Sequence, residues 1–161
     1  HQVGTFALPE SQLDRFLMCL SLGYPDAVAE RALMMGEDRR TLIKSLPALM
    51  RPSELLAARL ALKQIHTSPA LIDYIQRLAQ ASRQNGVFAE GLSPRAAIAL
   101  VQAARAWAAL EGRNHVIPED VQNVLIPLTA HRLRPLKSRN DHGVVMSSRD
   151  LVLQLLKSVA V

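Results

Sequence analysis

Two Ser-Pro pairs, Ser68-Pro69 and Ser93-Pro94, most constrain how this chain can fold. A serine hydroxyl before a proline at the first helical position is a strong helix start, since proline supplies a helical φ and lacks the donor that would go unpaired there. After each pair, apolar residues recur at i, i+3, i+4 and i+7 for four turns or more. The same spacing runs through most of the chain, and no run of alternating β-branched residues bounded by turn signals is long enough to propose a sheet. The expected fold class is all-α, a helical bundle of one domain, or one domain with an appendage.

Read along the chain, a first helix is expected over 11–20, with Leu13, Phe16, Leu17 and Leu20 on a buried stripe and Gly23-Tyr24-Pro25 ending it. Asp26 caps a second helix that turns Val28, Ala32 and Leu33 inward and stops near Gly36. Pro47 and Pro52 predict a connector over 41–51. A Ser53 cap then opens a helix to about Ile65. The helix from Pro69 presents Leu71, Ile75, Leu78 and Ser82 on one face, flanked by Ile72 and Ala79. The helix from Pro94 is expected to bury Ala97, Leu100, Val101, Ala104 and Ala108, small residues that permit close helix approach, and to close at Gly112. Pro118-Glu119-Asp120 starts another helix, which Pro127 should kink or split. Residues 134–143 read as a basic, exposed loop or hairpin, and Ser147 with Asp150 three residues on opens a last helix as in a capping box.

Composition limits the function classes. The 161 residues carry 19 Lys+Arg against 14 Asp+Glu, a formal charge of +5 with a pI near 10, which permits nucleic acid, acidic protein or nucleotide phosphate as partners and selects none. No apolar run approaches the roughly 20 residues of a membrane helix, and the first residues lack a secretory pattern. The single cysteine, Cys19, forms neither an internal disulfide nor a multi-cysteine zinc site; a small core residue in a reducing cytoplasm is the expectation.

Metalloprotease, nucleophile-elbow and zinc-finger patterns are missing, and the histidines at 1, 66, 115, 131 and 142 have no ligand-like spacing, so no metal site is expected. The phosphate-cradling G-x-x-x-x-G-K-[ST] is absent as well. Two arginines nevertheless stand where phosphate chemistry would use them. Arg95, in Gly91-Leu92-Ser93-Pro94-Arg95, falls in the first turn of the Ser93-capped helix, where a cation is disfavoured by roughly 0.3 to 1 kcal/mol unless an anion joins it. It is either a phosphate ligand, with Ser93 and Pro94 supporting the helix start, or an exposed arginine paired with an acid such as Glu90. Arg15 projects from the flank of the first helix. Such an arginine can stabilise charge on a transferring phosphate in a neighbouring subunit, or it is a solvated helix residue.

The stretches Gly4-Thr5-Phe6-Ala7-Leu8-Pro9-Glu10-Ser11-Gln12-Leu13-Asp14-Arg15-Phe16, Gly23-Tyr24-Pro25, Asp73-Tyr74-Ile75, Gly91-Leu92-Ser93-Pro94-Arg95-Ala96, Pro118-Glu119-Asp120-Val121 and His131-Arg132-Leu133 resemble, in order and approximate spacing, the C-terminal part of a MoxR-type AAA+ ATPase. The resemblance covers residues 1–133. It departs from the family at Val3, Phe6 and Ile117. It implies a bundle of the AAA+ lid type: 1–22 as the last helix region of the ATPase core, 23–133 as the helical lid, and 134–161 as a basic loop with a C-terminal helix. It also implies that Arg15 is the arginine finger, acting in trans, and Arg95 sensor 2, with Walker A, Walker B and sensor 1 upstream of His1. By the same resemblance the intact protein would use ATP with Mg2+ and form a ring, a hexamer in the family's manner. It would remodel or mature clients in a chaperone-like way with von Willebrand factor A partners, in the cytoplasm. The fragment alone would be inactive and would bind no nucleotide stably.

The rival expectation is a basic helical DNA-binding module. A recognition helix presents several polar and basic side chains to base edges, and the Pro94 helix offers only Arg95, Gln102 and Arg105 among many alanines.

Overall fold

The computed structural model describes residues 8–36, 39–84, 86–136 and 147–161. Among them are eight α-helices: α1 (Glu10–Leu13), α2 (Ala27–Met35), α3 (Arg39–Ser45), α4 (Pro52–Leu62), α5 (Pro69–Gln84), α6 (Pro94–Leu110), α7 (Pro118–Thr129) and α8 (Ser148–Ser158). The fold is all-α, as the periodicity requires. Most helices start on local chemistry. The Ser68 hydroxyl accepts from Leu71 N–H at 3.2 Å, Ser93 from Ala96 N–H at 3.1 Å, Ser147 from Asp150 N–H at 3.2 Å, and the Asp26 carboxylate from Ala29 N–H at 2.8 Å. Each pairs a first-turn donor that the helix itself leaves open, a contribution of about 1 kcal/mol. α4 begins one residue before Ser53, at Pro52, because the Glu54 carboxylate takes the Arg51 N–H at 2.7 Å and its guanidinium at 2.9 Å.

Ile117 has no side-chain acceptor to cap α7, so only the reverse half of a capping box forms, with Asp120 Oδ2 accepting the Ile117 N–H at 2.9 Å. Arg113 grips the same carboxylate with two bonds, of 2.7 and 2.5 Å. Burial pushes the Asp120 carboxyl upward, but the Arg113 and Ile117 donors outweigh it and hold its pKa below the ordinary carboxylate value. α6 ends in a Schellman turn: Arg113 N–H reaches Ala108 C=O at 2.8 Å, Gly112 N–H reaches Ala109 C=O at 3.0 Å, and Gly112 takes a φ of +71°.

The chain divides into two compact units, one formed by His1–Cys19 with Ala61–Val161, the other by Leu20–Leu60. In the first, α6 packs on α5 and α7, and α8 packs on α5 and α7, so that each helix touches two others around one core. Leu78, Leu100, Leu125, Leu128 and Leu133 are fully buried there. α6 brings Ala96, Ala99, Ala103, Ala104 and Ala108 to this core, while Ala97 and Val101 are half-buried. The buried face is therefore turned slightly from the expected one, and its small side chains let α7 approach closely. Two isolated bridges, His66 with His115 and Phe88 with Pro135, tie the connecting loops. No helix among the described residues is long and apolar enough to cross a membrane.

In the second unit α2, α3 and the first turns of α4 bury no residue among those described. Val28 and Leu33, expected inward, are exposed. α3 occupies part of the stretch expected to be a connector: Pro47 lies beyond its last residue and limits the helix without preventing it.

Three further expectations are corrected. The helix expected over 11–20 stops at Leu13, and Phe16, Leu17 and Leu20 are exposed. Pro127 does not split α7, which continues to Thr129; its carbonyl accepts the Cys19 N–H at 2.8 Å. Cys19 itself is exposed rather than part of the core. Of the basic stretch 134–143, Arg134 to Leu136 pair with Val87 to Ala89 through bonds of 2.9 and 2.8 Å, and the remainder lies outside the described residues, as does Phe6.

Candidate functional site

The start of α6 is fixed from α5. Ser82, almost wholly buried, gives its hydroxyl hydrogen to Ala79 C=O at 2.7 Å and accepts the Leu92 N–H at 2.9 Å. Arg83 closes the same peptide from the other side, its Nε and Nη2 donating to Leu92 C=O at 2.9 and 2.7 Å. Both polar groups of Leu92 are thus paired with consecutive residues of α5. The loop can come this close because residue 91 is glycine: an added Cβ would lie within 3 Å of the Arg83 backbone. Ser93, Pro94 and Arg95 therefore leave a rigid base.

Ser93 caps α6 and also donates its hydroxyl to the Asp14 carboxylate, 3.0 and 3.1 Å from its two oxygens. Arg95 Nη1 stands 3.8 Å from Asp14 Oδ2, with its side chain 61% exposed. The penalty for a cation in the first turn is thereby offset by Asp14 and not by Glu90, the acid named from spacing. The same carboxylate lies against the positive end of α6 and already occupies the place where the helix terminus would attract an anion.

Asp14 is also held by Arg132, whose side chain is only 6% exposed. Nε donates to Asp14 Oδ1 at 3.0 Å, Nη2 to the carbonyls of Asp14 and Phe16 at 3.2 and 2.6 Å, and Nη1 to those of Leu17, at 3.2 Å, and Leu128. These bonds explain the early end of α1: the carbonyls of residues 14, 16 and 17 are drawn to Arg132 instead of continuing a helical ladder. Arg15 sits in this turn, exposed. A cleft of about 290 Å3 is lined by Glu10, Leu13, Asp14, Glu90, Ser93 and Arg132 among others, and neither Arg15 nor Arg95 lines it. His131 also lines it, with Nε2 3.2 Å from Phe16 C=O, and burial holds its pKa below the ordinary histidine value.

Arg15, Ser93, Pro94 and Arg95, selected from the sequence, thus lie on two segments that Asp14 joins. Asp14 and Arg132 escaped selection, although both fall within the quoted stretches Asp14-Arg15-Phe16 and His131-Arg132-Leu133. Their significance is a contact across more than a hundred residues. Chemically the site offers two solvent-facing guanidiniums on a framework of paired side chains, an arrangement suited to binding anionic oxygen. Arg105, one of three groups available for a base-reading face, is bonded through Nε to Thr67 at 2.9 Å. No group of three or more potential metal ligands is found among the described residues.

Known proteins resemble this chain in sequence and in fold. The AAA lid domain family matches residues 80–152, which span the end of α5, the whole of α6 and α7 and part of α8. The uncharacterized protein YeaC of Bacillus subtilis is 31% identical over 159 residues, 98% of this chain and 49% of its own length. Chaperone MoxR1 of Mycobacterium tuberculosis is 37% identical over 143 residues, 81% of this chain and 36% of its own. The crystal structure of a candidate ATPase from Cytophaga hutchinsonii superposes with a TM-score of 0.80 at 29% identity, over 99% of this chain and 51% of that one. The chain therefore spans about half the length, or less, of the relatives it matches. With the lid-domain match, the helical fold and the named relatives in agreement, the chain carries an AAA lid domain and is similar to the C-terminal part of MoxR-type AAA+ proteins.

Proposed function

We propose that this chain is the lid and the adjoining end of the core of an ATPase that uses ATP with Mg2+ in a ring of subunits, and that its two exposed arginines serve two different nucleotide sites. The carrying observation is the Arg95 guanidinium, 61% exposed on the first turn of a helix whose start is locked to α5. A rigid base with a projecting cation suits sensor 2, which binds phosphate in its own subunit and couples lid angle to nucleotide state. Arg15, exposed beside Asp14, suits an arginine finger completing the neighbour's site. The exposed guanidiniums of Arg95 and Arg15 fit the phosphate end of a nucleotide; ATP would supply the phosphoryl group that is cleaved. On this reading 1–22 close the core, 23–133 form the lid and 134–161 add a loop and the helix α8. The chain alone does not hydrolyse ATP.

On the same reading the ring is a hexamer in the cytoplasm that works on client proteins with von Willebrand factor A partners, in the chaperone-like way that the name of one relative, chaperone MoxR1, carries. Mixing subunits tests the assignment. Arg15→Ala subunits mixed with subunits disabled in their phosphate loop should recover hydrolysis, because some interfaces then pair an intact loop with an intact Arg15. Arg95→Ala should impair its own subunit whatever its neighbour carries. Wild-type turnover in both single variants would overturn the assignment.

A further inference from the structure

We infer that Arg132 is a positioning residue for Arg15, holding the turn that carries it and tying that turn, through Asp14, to the helix that carries Arg95. A guanidinium has five N–H donors in a rigid plane, and in Arg132 all five are matched: one to the Asp14 carboxylate, and one each to the carbonyls of Asp14, Phe16, Leu17 and Leu128. Three of these acceptors are backbone groups immediately around Arg15. The side chain is almost fully buried, so the bonds face little competition from water. Asp14, the residue before Arg15, carries the connection onward to Ser93 and lies 3.8 Å from Arg95. The backbone at Arg15 is therefore set by α7 on one side and by the start of α6 on the other. α6 and α7 pack directly on each other, so they move as one body and carry the turn with them.

This arrangement gives the lid a mechanical consequence. A lid that shifts when Arg95 engages phosphate pulls, through Ser93, Arg132 and Asp14, on the turn at the end of the core that carries Arg15, so occupancy of one site changes the alignment of the arginine offered to the next. Lysine cannot replace Arg132 here, because its three donors radiate from one nitrogen and cannot reach five acceptors spread along a fork. Asp14→Asn keeps an acceptor for Ser93 and the backbone bonds but removes the charge that Arg132 and Arg95 share.

The functional half of this inference rests on the assignment of Arg15 proposed above, so the experiment has two arms. In the present chain, Arg132→Lys should raise amide exchange at Arg15 to Cys19 by about tenfold or more while amides of α5 to α7 keep their protection. In the intact ATPase the same variant should lower kcat by about a hundredfold with KM for ATP little changed, since misplacing a catalytic group by about 1 Å has that order of effect. The loss should be repaired in mixed rings with phosphate-loop-disabled subunits, as for Arg15→Ala. Unchanged exchange around Arg15 overturns the positioning role, and so does a kcat loss that mixing cannot repair. Normal turnover in Arg132→Lys beside a crippled Arg15→Ala overturns the inference and leaves the arginine-finger reading standing. Normal turnover in Arg15→Ala fells that reading instead, while the exchange arm still judges Arg132. Should Arg132→Lys fail to fold, Asp14→Asn decides by the same two measurements, with a smaller drop in kcat expected.

Discussion

Gly91 packs against Arg83 so closely that a Cβ at position 91 would lie 2.7 Å from the Arg83 Cα and 2.8 Å from its backbone nitrogen. Both obstacles belong to the main chain of α5 and cannot swing aside as a side-chain tip could. Gly91→Ala should therefore destabilise the chain by about 1–3 kcal/mol, the usual cost of overpacking, and loosen the bonds from Ser82 and Arg83 to Leu92. Urea unfolding measures the first effect, and amide exchange at Leu92 the second. A midpoint equal to that of the native chain would show that the loop can retreat from α5.

Ser93→Ala removes a helix cap and a partner of Asp14 in one step. Loss of the cap alone should cost about 1 kcal/mol. Asp14 retains Arg132 and remains partly exposed, so the variant should stay folded with its midpoint lowered by that order. Ser93→Asp offers a cap as well but sets a second carboxylate against Asp14. It should be less stable than Ser93→Asn, and the difference should shrink in high salt.

Two partly or wholly buried groups among the described residues, His131 and Asp120, act on the acid limb of stability in the same direction, beside the exposed Glu54. His131 has a lowered pKa, so below the ordinary histidine value of 6.5 the unfolded chain binds a proton that the folded chain resists, and stability falls as pH drops through that window. Asp120 likewise has a lowered pKa, so its contribution is complete above 3.8 and is lost as pH falls below it. Plotted against pH, unfolding free energy should show one decline beginning near neutrality and a second in strong acid. His131→Gln should flatten the first and Asp120→Asn the second. An unchanged first decline in His131→Gln would assign it elsewhere.

Helix starts at Ser68, Ser93 and Ser147 were legible because a cap is chemistry between residues three apart, and a sequence displays such neighbours directly. The end of α1 was not, since the donor that captures the carbonyls of Phe16 and Leu17 belongs to Arg132, well over a hundred residues away. A periodic pattern through Leu13, Phe16 and Leu17 predicts a helix whenever no competitor for those carbonyls is visible. Val28 and Leu33 show the complementary limit: spacing predicts an apolar face but says nothing about what covers it. Arg95 could be found because Ser-Pro marks its helix, whereas Asp14 became significant only when Ser93, Arg95 and Arg132 converged on one carboxylate.

Arg15 and Arg95 should separate stability from activity. Arg95 is well exposed and 3.8 Å from Asp14, a geometry that contributes under about 1 kcal/mol to folding, and Arg15 is exposed in a turn held by other residues. Neither Arg95→Ala nor Arg15→Ala should move the unfolding midpoint of this chain appreciably. On the proposed assignment the losses expected in the intact protein are of another order: a finger that contacts the transferring phosphoryl group contributes about a thousandfold or more to kcat, which no surface ion pair matches. Arg15→Lys should recover little, because a single ammonium cannot span two phosphate oxygens as a guanidinium does. Arg95→Lys should recover more, since its task is to attract phosphate and a point charge performs part of it. Turnover and melting measured on the same four variants decide the matter. Variants that lose stability and activity in parallel would show that both arginines hold the fold together and do not serve a nucleotide.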